Sequence, residues 1–333
     1  MRKVKTRKSV KKEDYEDLIY YKLKNSRFKQ QRLPAWRPVP TLCTIIIFYV
    51  LFALIFIALG IVLIIFSNKI INQEIDYNAL CIKSSTDDNI CEVKYTISED
   101  MDSPIMIYYK LDGFFQNHRR YVRSKSQKQL FGDNTTLEQM RDDGDCEPIY
   151  TNKDMGFEKG RKAADKETEL NLDDVAIPCG LIAKTYFNDT FSQWKINDEV
   201  LEVNEKNIAW AKDKDLFKNS DISRQWIDVE DEHFIVWMRP AGLTNFKKLW
   251  GRIENRDLKK GDVLTIIVQN NYNVDNYEGD KKIILSTTNK FGGKNIFFGT
   301  SFIVVGAVSL LLGFAFPLLI YQRNKNEDIK KNI

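Results

Sequence analysis

The chain has 333 residues and nearly balanced charges, with 50 lysines and arginines against 46 aspartates and glutamates and a net charge of +4. Two uncharged stretches, 41–67 and 296–321, are each longer than the roughly 20 residues that a helix needs to cross a lipid bilayer. Together they exclude an ordinary soluble protein, and we expect no nucleic-acid partner.

The first 40 residues form a basic N-terminal segment with 13 lysines and arginines and four acids. It ends in the strip FKQQRLPAWRPVPT (28–41), whose three prolines prevent a continuous helix into the first apolar stretch. Because lipid headgroups would not require this particular order of residues, we expect Arg32, Pro34, Trp36 and Arg37 to bind a protein partner. The alternative is a strip that only anchors the chain in the headgroup layer.

Residues 41–67 are predicted to form the first transmembrane helix. They begin too late and run too long for a cleavable signal peptide, which predicts an uncleaved signal anchor. The stretch contains Cys43, which we expect to remain unpaired.

Residues 68–295 carry 33 cations and 40 acids, a net charge of −7, whereas both flanks are short and basic. Short basic flanks stay in the cytoplasm. We therefore expect both termini in the cytoplasm and the acidic middle on the exoplasmic side of a secretory-pathway membrane. Two Asn-X-Thr sequons, at Asn134 and Asn188, would then be accessible to glycosylation.

Four cysteines fall in the same middle segment, Cys81, Cys91, Cys146 and Cys179. An even number of cysteines in an oxidising compartment predicts disulfides. Four cysteines allow three pairings, and the pairing of neighbours would close one short and one longer loop.

The middle segment reads mostly as short strands. SPIMIYYKL (103–111) places apolar residues at alternate positions, and HFIVWMR (233–239) and DVLTIIVQNNYNV (262–274) are rich in β-branched and aromatic residues. LTNFKKLWGRIE (243–254) instead has helical spacing. The predicted fold is an antiparallel β-sandwich with short helices between two transmembrane helices.

No pattern in the segment predicts an active site, a cofactor or a metal. His118 and His233 have no partner at metal-ligand or triad spacing. The adjacent carboxylates at 230–232 are expected to form a solvated turn. Residues 153–174 are too highly charged to join a core and predict a solvated, mobile excursion between Cys146 and Cys179.

Residues 296–321 are predicted to form the second transmembrane helix, followed by a cytoplasmic tail at 322–333. Gly299, Gly306 and Gly313 are spaced by seven residues and lie on one stripe. Small residues on one stripe let another helix approach closely. We expect this stripe to pack against a partner or against the first span.

Several long motifs occur in a fixed order from Asn25 to Tyr321. They are NSRFKQQRLPAWRP, YYKLDGFFQNHRRYVRS, CEP, IPCGLIAKTYFNDTF, NIAW, EDEHFIVWMRPAGLTNFKKLW and KKIILSTTNKFGGKN. In these motifs the chain resembles the cell division control protein 50 family, the accessory β-subunits of lipid flippases. It departs from the family's usual pattern in the longer excursion at 153–174 and in the residues from Asn289 to Phe291.

The resemblance implies two spans, a β-rich exoplasmic domain, N-glycans and disulfides between neighbours, Cys81 with Cys91 and Cys146 with Cys179. It also implies a heterodimer with a type IV P-type ATPase α-subunit among membrane phospholipids. The accessory subunit would be non-catalytic and would support the folding of the ATPase, its exit from the endoplasmic reticulum and aminophospholipid translocation. Such complexes reside in the endoplasmic reticulum, Golgi, plasma membrane or endosomes.

Two other readings fit the topology. A two-span ligand-gated channel subunit also has cytoplasmic ends and a large disulfide-bonded domain, but it usually has polar pore positions in its second span. An ectoenzyme or a lone receptor leaves the strip at 28–41 without a role.

Overall fold

The structure is a computed structural model, and it describes residues 20–33, 41–84, 89–289 and 292–331, with side chains undescribed at 82–84 and 327–331. The chain divides into two compact units. Of the described residues, those up to 58 and from 302 onward form a helical unit, and those between 59 and 301 form a β-rich unit.

Residues 20–25 are helical. The later elements, in chain order, are α1 (Leu42–Asn68), β1 (Asn72–Ile75), α2 (Tyr77–Ser84), β2 (Ile90–Thr96), β3 (Ile105–Asp112), α3 (Arg119–Arg123), α4 (Gln127–Leu130), α5 (Leu137–Asp143), α6 (Asn152–Met155), α7 (Leu181–Lys184), β4 (Thr190–Ile196), β5 (Glu199–Val200), α8 (Ala211–Lys214), α9 (Glu232–Met238), β6 (Phe246–Ile253), β7 (Val263–Gln269), a 3-10 turn (Asp275–Tyr277), β8 (Asp280–Thr287) and α10 (Ile296–Lys331).

Helices α1 and α10 are the two predicted spans. In their most apolar windows only 11% and 17% of residues are buried, so neither is a core helix of a soluble protein. Helix α1 begins and ends within one residue of the predicted bounds. Helix α10 continues to Lys331, so most of the predicted tail at 322–333 is helical.

The β-rich unit contains two four-stranded antiparallel sheets, with strand orders β1-β8-β3-β6 and β2-β7-β4-β5. Their apolar faces share one core. Phe191 of β4 meets Trp250 of β6 edge to face at 4.8 Å, and Tyr109 of β3 stacks on Phe187 at 4.1 Å. The predicted β-sandwich with short helices is confirmed.

Strand β3 shows how the sequence pattern produces this core. Ile105, Ile107, Tyr109 and Leu111 are buried, and the residues between them are partly exposed. Since successive side chains of a strand point to opposite faces, the alternation in the sequence places one face inward. The predicted strand at 103–111 is confirmed.

Two predicted elements are wrong, and in each the type of element is reversed. The predicted strand at 233–239 is helix α9, because Asp231 caps it by accepting bonds from His233 N at 2.7 Å and Phe234 N at 3.3 Å. The predicted helix at 243–254 is strand β6, which pairs with β3 through an irregularity in register.

Both disulfides join neighbours. Cys81 of α2 is bonded to Cys91 of β2, and Cys146 is bonded to Cys179. Cys43 is a free cysteine within α1.

The charged excursion at 153–174 is folded back onto the domain. Lys153 N donates to Leu172 O at 2.9 Å, and Ala164 N donates to Gln225 O at 2.7 Å. Met155, Ala163 and Leu170 are buried. The expectation of a solvated surface holds for its charged side chains, but these anchors correct the expectation of a loose loop.

Candidate interaction surfaces

The N-terminal segment before the prolines forms a tight turn. Residues 20–25 are helical, and the chain then turns so that Arg32 N donates to Arg27 O at 2.7 Å. Gln31 accommodates the turn with a φ of 54°, in the left-handed region. The side chains of Phe28 and Leu33 are 74% and 57% exposed. An exposed aromatic beside several cations is typical of a surface that contacts lipid or protein.

Only one of the four predicted partner-binding residues of the strip is described. Arg32 is exposed at the end of the turn. Pro34, Trp36 and Arg37 fall within 34–40, outside the described residues. Their partner-binding role stays a proposal.

The glycine stripe of α10 lies against α1 of the same chain. A Cβ added to Gly306 would lie 2.7 Å from Ile57 Cγ1 and 3.1 Å from Ala53 O. At Gly299 it would lie 2.7 Å from Ile64 Cγ1. Such distances leave no room for a side chain, so the glycines are required for the close approach of the helices.

Gly313 continues the same contact, where an added Cβ would lie 3.1 Å from Tyr49 Cβ. Of the two alternatives for the stripe, the structure therefore uses the first span. The partner-binding assignment of these three glycines is corrected on this point, because α1 already occupies the stripe. The opposite faces of both helices carry exposed apolar side chains, among them Phe48, Leu54, Leu311 and Phe314.

Hydrogen bonds from Asn289 and Asn295 stabilise the last turn of α1 and the first turn of α10. Asn289 donates from Nδ2 to Phe66 O at 2.8 Å, and Asn295 N donates to Ser67 Oγ at 2.9 Å. Asn295 also caps α10, since its Oδ1 accepts a bond from Phe298 N at 3.0 Å. Asn289, one of the departures from the family pattern, thus satisfies a carbonyl in the last turn of α1.

A buried ion pair lies beside one of the sequons. Lys281 Nζ of β8 is 2.8 Å from Asp189 Oδ2, and both side chains are almost fully buried. Tyr77 donates its hydroxyl to the same carboxylate at 2.7 Å, and Tyr272 N donates to the other oxygen at 2.6 Å. Burial lowers the pKa of Lys281, and Asp189 opposes this shift. The network fixes the loop that presents Asn188.

The two sequon asparagines lie at the surface. Asn134 lies two residues before Thr136, the N-cap of α5, and Asn188 directly precedes the buried Asp189. Both asparagines are exposed. Their geometry is compatible with glycans, and their occupancy remains a prediction.

A second buried cation caps the end of α9. Lys248 Nζ donates to the carbonyls of Val236, Trp237 and Arg239 at 2.9, 2.9 and 2.6 Å. Burial lowers the pKa of Lys248 from its ordinary value of 10.5 to about 7, and Arg239 adds to the shift. A cation is favourable at this end of a helix because the unsatisfied carbonyls point toward it.

The carboxylates at 230–232 are structural. Glu230 accepts a bond from Asn219 N at 3.0 Å, and Asp231 caps α9. Glu232 accepts from Asn207 N and Ala209 N, both at 3.0 Å, and pairs with Lys214 at 2.6 Å. The predicted solvated turn is confirmed for Glu230 and Asp231, which are exposed, whereas Glu232 is half-buried and binds the 207–209 segment and Lys214.

The histidines have structural surroundings as well. His233 Nε2 lies 3.1 Å from Glu205 Oε2, and its ring packs 4.1 Å from the ring of Trp250. His118 precedes α3 at the surface. Within the described ranges, no group of three or more His, Cys, Asp or Glu side chains could hold a metal ion.

Comparison with known proteins gives a consistent result. The family described as "LEM3 (ligand-effect modulator 3) family / CDC50 family" matches residues 63–326. The "Putative ALA-interacting subunit 4" of Arabidopsis thaliana is 34% identical over 322 residues, covering 89% of this chain and 88% of the relative. The "Cell cycle control protein 50A" of Mus musculus is 34% identical over 351 residues, covering 91% and 90% of the two chains. The "Cell cycle control protein 50B" of Homo sapiens is 28% identical over 353 residues, covering 91% and 95%.

Proposed function

This chain belongs to the LEM3/CDC50 family, and from that membership we propose that it is the non-catalytic accessory subunit of a phospholipid flippase. Its partner would be the α-subunit of a type IV P-type ATPase, bound as a heterodimer. The observation that carries the proposal is the match along about nine-tenths of the chain to relatives named as interacting subunits. A match of this extent includes both spans and the β-rich domain between them.

The contacts of the polar side chains favour an accessory role over a catalytic one. Two of its buried polar clusters, the Lys281–Asp189 pair and the Lys248 cap, hold elements of the fold together. The histidines and the carboxylates at 230–232 have structural partners. We assign no catalytic residue, cofactor or metal, and the ATP chemistry would belong to the α-subunit.

The pairing of the spans supports an arrangement in which the two helices bind the ATPase together. Since Gly299, Gly306 and Gly313 face α1, the helices can present their outer faces as one apolar surface. The N-terminal turn adds the exposed Phe28 and Arg32 in the first part of the strip. We propose that Arg32, Pro34, Trp36 and Arg37 contact the ends of the partner's membrane helices on the cytoplasmic side.

The topology and modifications form part of the proposal. Both termini would be cytoplasmic, the β-rich domain would be exoplasmic, and Asn134 and Asn188 would carry glycans. Glycosidase treatment should increase the mobility of the native chain, and the Asn134→Gln, Asn188→Gln double variant should already migrate at the faster position. A shift that persists in the double variant would show that the sites are elsewhere.

Depletion of the chain in its own cells tests the function. We expect the ATPase to remain in the endoplasmic reticulum and the uptake of a fluorescent aminophospholipid to fall, with recovery when the intact chain is restored. Normal uptake and normal ATPase localisation after depletion would overturn the proposal. Loss of a ligand-gated current with normal lipid uptake would favour the two-span channel subunit instead.

A further inference from the structure

The β-rich unit contains a cluster of arginines that form no ion pair with its described acidic residues. No acidic residue occurs between Asp112 and Asp133, whereas three arginines and two lysines do. The three arginines, Arg119, Arg120 and Arg123, lie on the short helix α3 and are exposed. A domain with an excess of acids would be expected to neutralise such a cluster by ion pairs.

The arginines are not neutralised in the part of the chain that the structure describes. Arg239 pairs with Asp213, Arg252 with Glu254 and Arg256 with Glu199, but no carboxylate lies within 4.0 Å of the guanidinium groups of α3. Of the two lysines, Lys128 is already paired with Asp143 at 2.6 Å. The other, Lys125, lines a different cleft from the three arginines, so the unpaired positive charge considered below is that of Arg119, Arg120 and Arg123.

The same three arginines line one cleft of about 560 Å³. The cleft is also lined by Gly144, Glu147 and Pro148, which flank Cys146, and by Leu181, which follows Cys179. A cleft of this size can admit a small organic ligand and exceeds the space that a lone ion needs.

The walls of the cleft are fixed in place. Leu181 N donates to Ser124 Oγ at 2.8 Å, and Gly180 N donates to Ile149 O at 3.1 Å. Gly180 passes so close to the end of α3 that an added Cβ would overlap Ser124 O. The Cys146–Cys179 disulfide joins the facing segments. A preorganised site loses little free energy on ordering when a ligand binds.

We propose that this cleft binds the phosphate group of a small organic ligand. Guanidinium groups present planar pairs of N–H donors that match the oxygens of a phosphate, and three of them can supply several charge-assisted hydrogen bonds at once. Glu147 also lines the cleft, and its negative charge lowers the affinity of the site for an anion. The ligand could be a phospholipid headgroup or a soluble phosphate ester, which share this chemistry.

Isothermal titration calorimetry of the full-length chain in maltoside micelles at low salt tests the proposal without the ATPase. The probes are glycerol 3-phosphate, inorganic phosphate and dihexanoylphosphatidylserine below its critical micelle concentration, with glycerol as the neutral control. We expect a phosphate probe to bind and glycerol not to bind. Preference for dihexanoylphosphatidylserine would identify a lipid headgroup, and preference for the other two would identify a soluble phosphate.

Variants of the cleft provide the decisive comparison. The Arg120→Gln, Arg123→Gln double variant should bind the phosphate probe at least about tenfold more weakly, and Glu147→Gln should bind it more tightly. Arg224→Gln, an exposed arginine outside the cleft, should bind as the native chain does. All three should unfold at the native temperature, since the substituted side chains are exposed.

Two results would overturn the proposal. One is the absence of binding by every phosphate probe, and the other is an equal loss of binding in Arg224→Gln, which would indicate an effect of overall charge. If the double variant instead loses the ATPase while no phosphate probe binds to the native chain, the cleft is a protein contact. The accessory function would survive any of these results, because it is tested by depletion.

Discussion

Asp189 and Lys281 form a buried ion pair, so the loss of either charge leaves the other unpaired in the core. Replacing Asp189 by Asn preserves the Asn188 sequon and most of the local volume. Because the ammonium of Lys281 would stay buried without a counter-charge, we expect the free energy of unfolding to fall by about 3–5 kcal/mol.

Thermal unfolding of the full-length protein in detergent measures this effect. Asp198→Asn, which changes an exposed aspartate on the turn after β4, is the matched control and should unfold as the native chain does. The Asp189→Asn, Lys281→Met double variant should recover part of the loss, since it removes both charges. Equal unfolding temperatures for Asp189→Asn and the control would mean that the pair contributes nothing.

The lowered pKa of Lys248 predicts how the free energy of unfolding depends on pH. Its pKa is lowered from 10.5 to about 7 in the folded protein, so between these pH values the unfolded chain binds more protons than the folded one. The free energy of unfolding should therefore rise as the pH increases from about 7 to about 9. The lowered pKa of Lys281 acts in the same direction.

The slope of unfolding temperature against pH is the measurement. Lys248→Met should reduce this slope, whatever it does to the absolute stability through the three carbonyls it leaves without a donor. Lys260→Met, which changes an exposed lysine, should keep the native slope. A native protein whose stability is flat or falls over this pH range would show that Lys248 keeps an ordinary pKa.

At the scale of elements, Gly306 is one of the points where α1 and α10 lie in close contact. Valine there would have to occupy space that Ile57 Cγ1 and Ala53 O already fill, at 2.7 and 3.1 Å from the first added atom. We expect Gly306→Val to separate the helices and lower the yield of folded protein. Ala307→Val adds bulk at the next, exposed position of the same helix and should be tolerated.

Monodispersity and yield after detergent extraction report the result. The same two variants should differ in recovery of the ATPase if the paired spans form its binding surface. Comparable yield and monodispersity for both variants would contradict the close packing of the helices.

The sequence predicted those elements whose local pattern agrees with their tertiary setting. Both spans belong to this group, because the membrane requires a long stretch without charged residues. Strand β3 belongs to it as well, because its one buried face requires apolar residues at alternate positions. The sequons and the cysteines could be located from the sequence, but the choice among three disulfide pairings required the family resemblance.

Strand β6 could not be predicted because its alternation is hidden. The ladder pairs Ile107 with Gly251 but Tyr108 with Leu249, so one residue of β6 is passed over. This bulge changes the phase of the buried positions, which then resemble a helical repeat. Lys248 is also an inward position, and its partners are carbonyls of α9 that no local pattern reveals.

Helix α9 was missed for a different reason. Its aromatic and β-branched residues favour a strand by propensity, but the tertiary structure buries Phe234, Ile235, Trp237 and Met238, which follow helical spacing. The signal for this helix in the sequence is Asp231, an N-cap residue three positions before Phe234, where the apolar run begins.

At the scale of the whole molecule, the proposal predicts a role for the strip before α1. Replacing Trp36 and Arg37 together by Ala should leave membrane insertion and both disulfides intact but reduce recovery of the ATPase. Trp36 supplies a large apolar contact at low rotamer cost, and Arg37 can pair with carboxylates or carbonyls at helix ends. The prolines beside them reduce the ordering cost.

Recovery of the ATPase with the tagged double variant is compared with that of Lys12→Ala, Tyr15→Ala. This control removes a cation and an aromatic residue further upstream in the N-terminal segment and should bind the ATPase fully. Full recovery and full lipid transport with the strip variant would show that the strip is only a lipid anchor.

The association itself is the central claim, and purification of the native chain from its own membranes in mild detergent tests it most directly. We expect one far larger partner at a one-to-one ratio, identified by mass spectrometry as a type IV P-type ATPase. Recovery of the chain only as a homo-oligomer or a monomer, under conditions that keep other membrane complexes intact, would contradict the account.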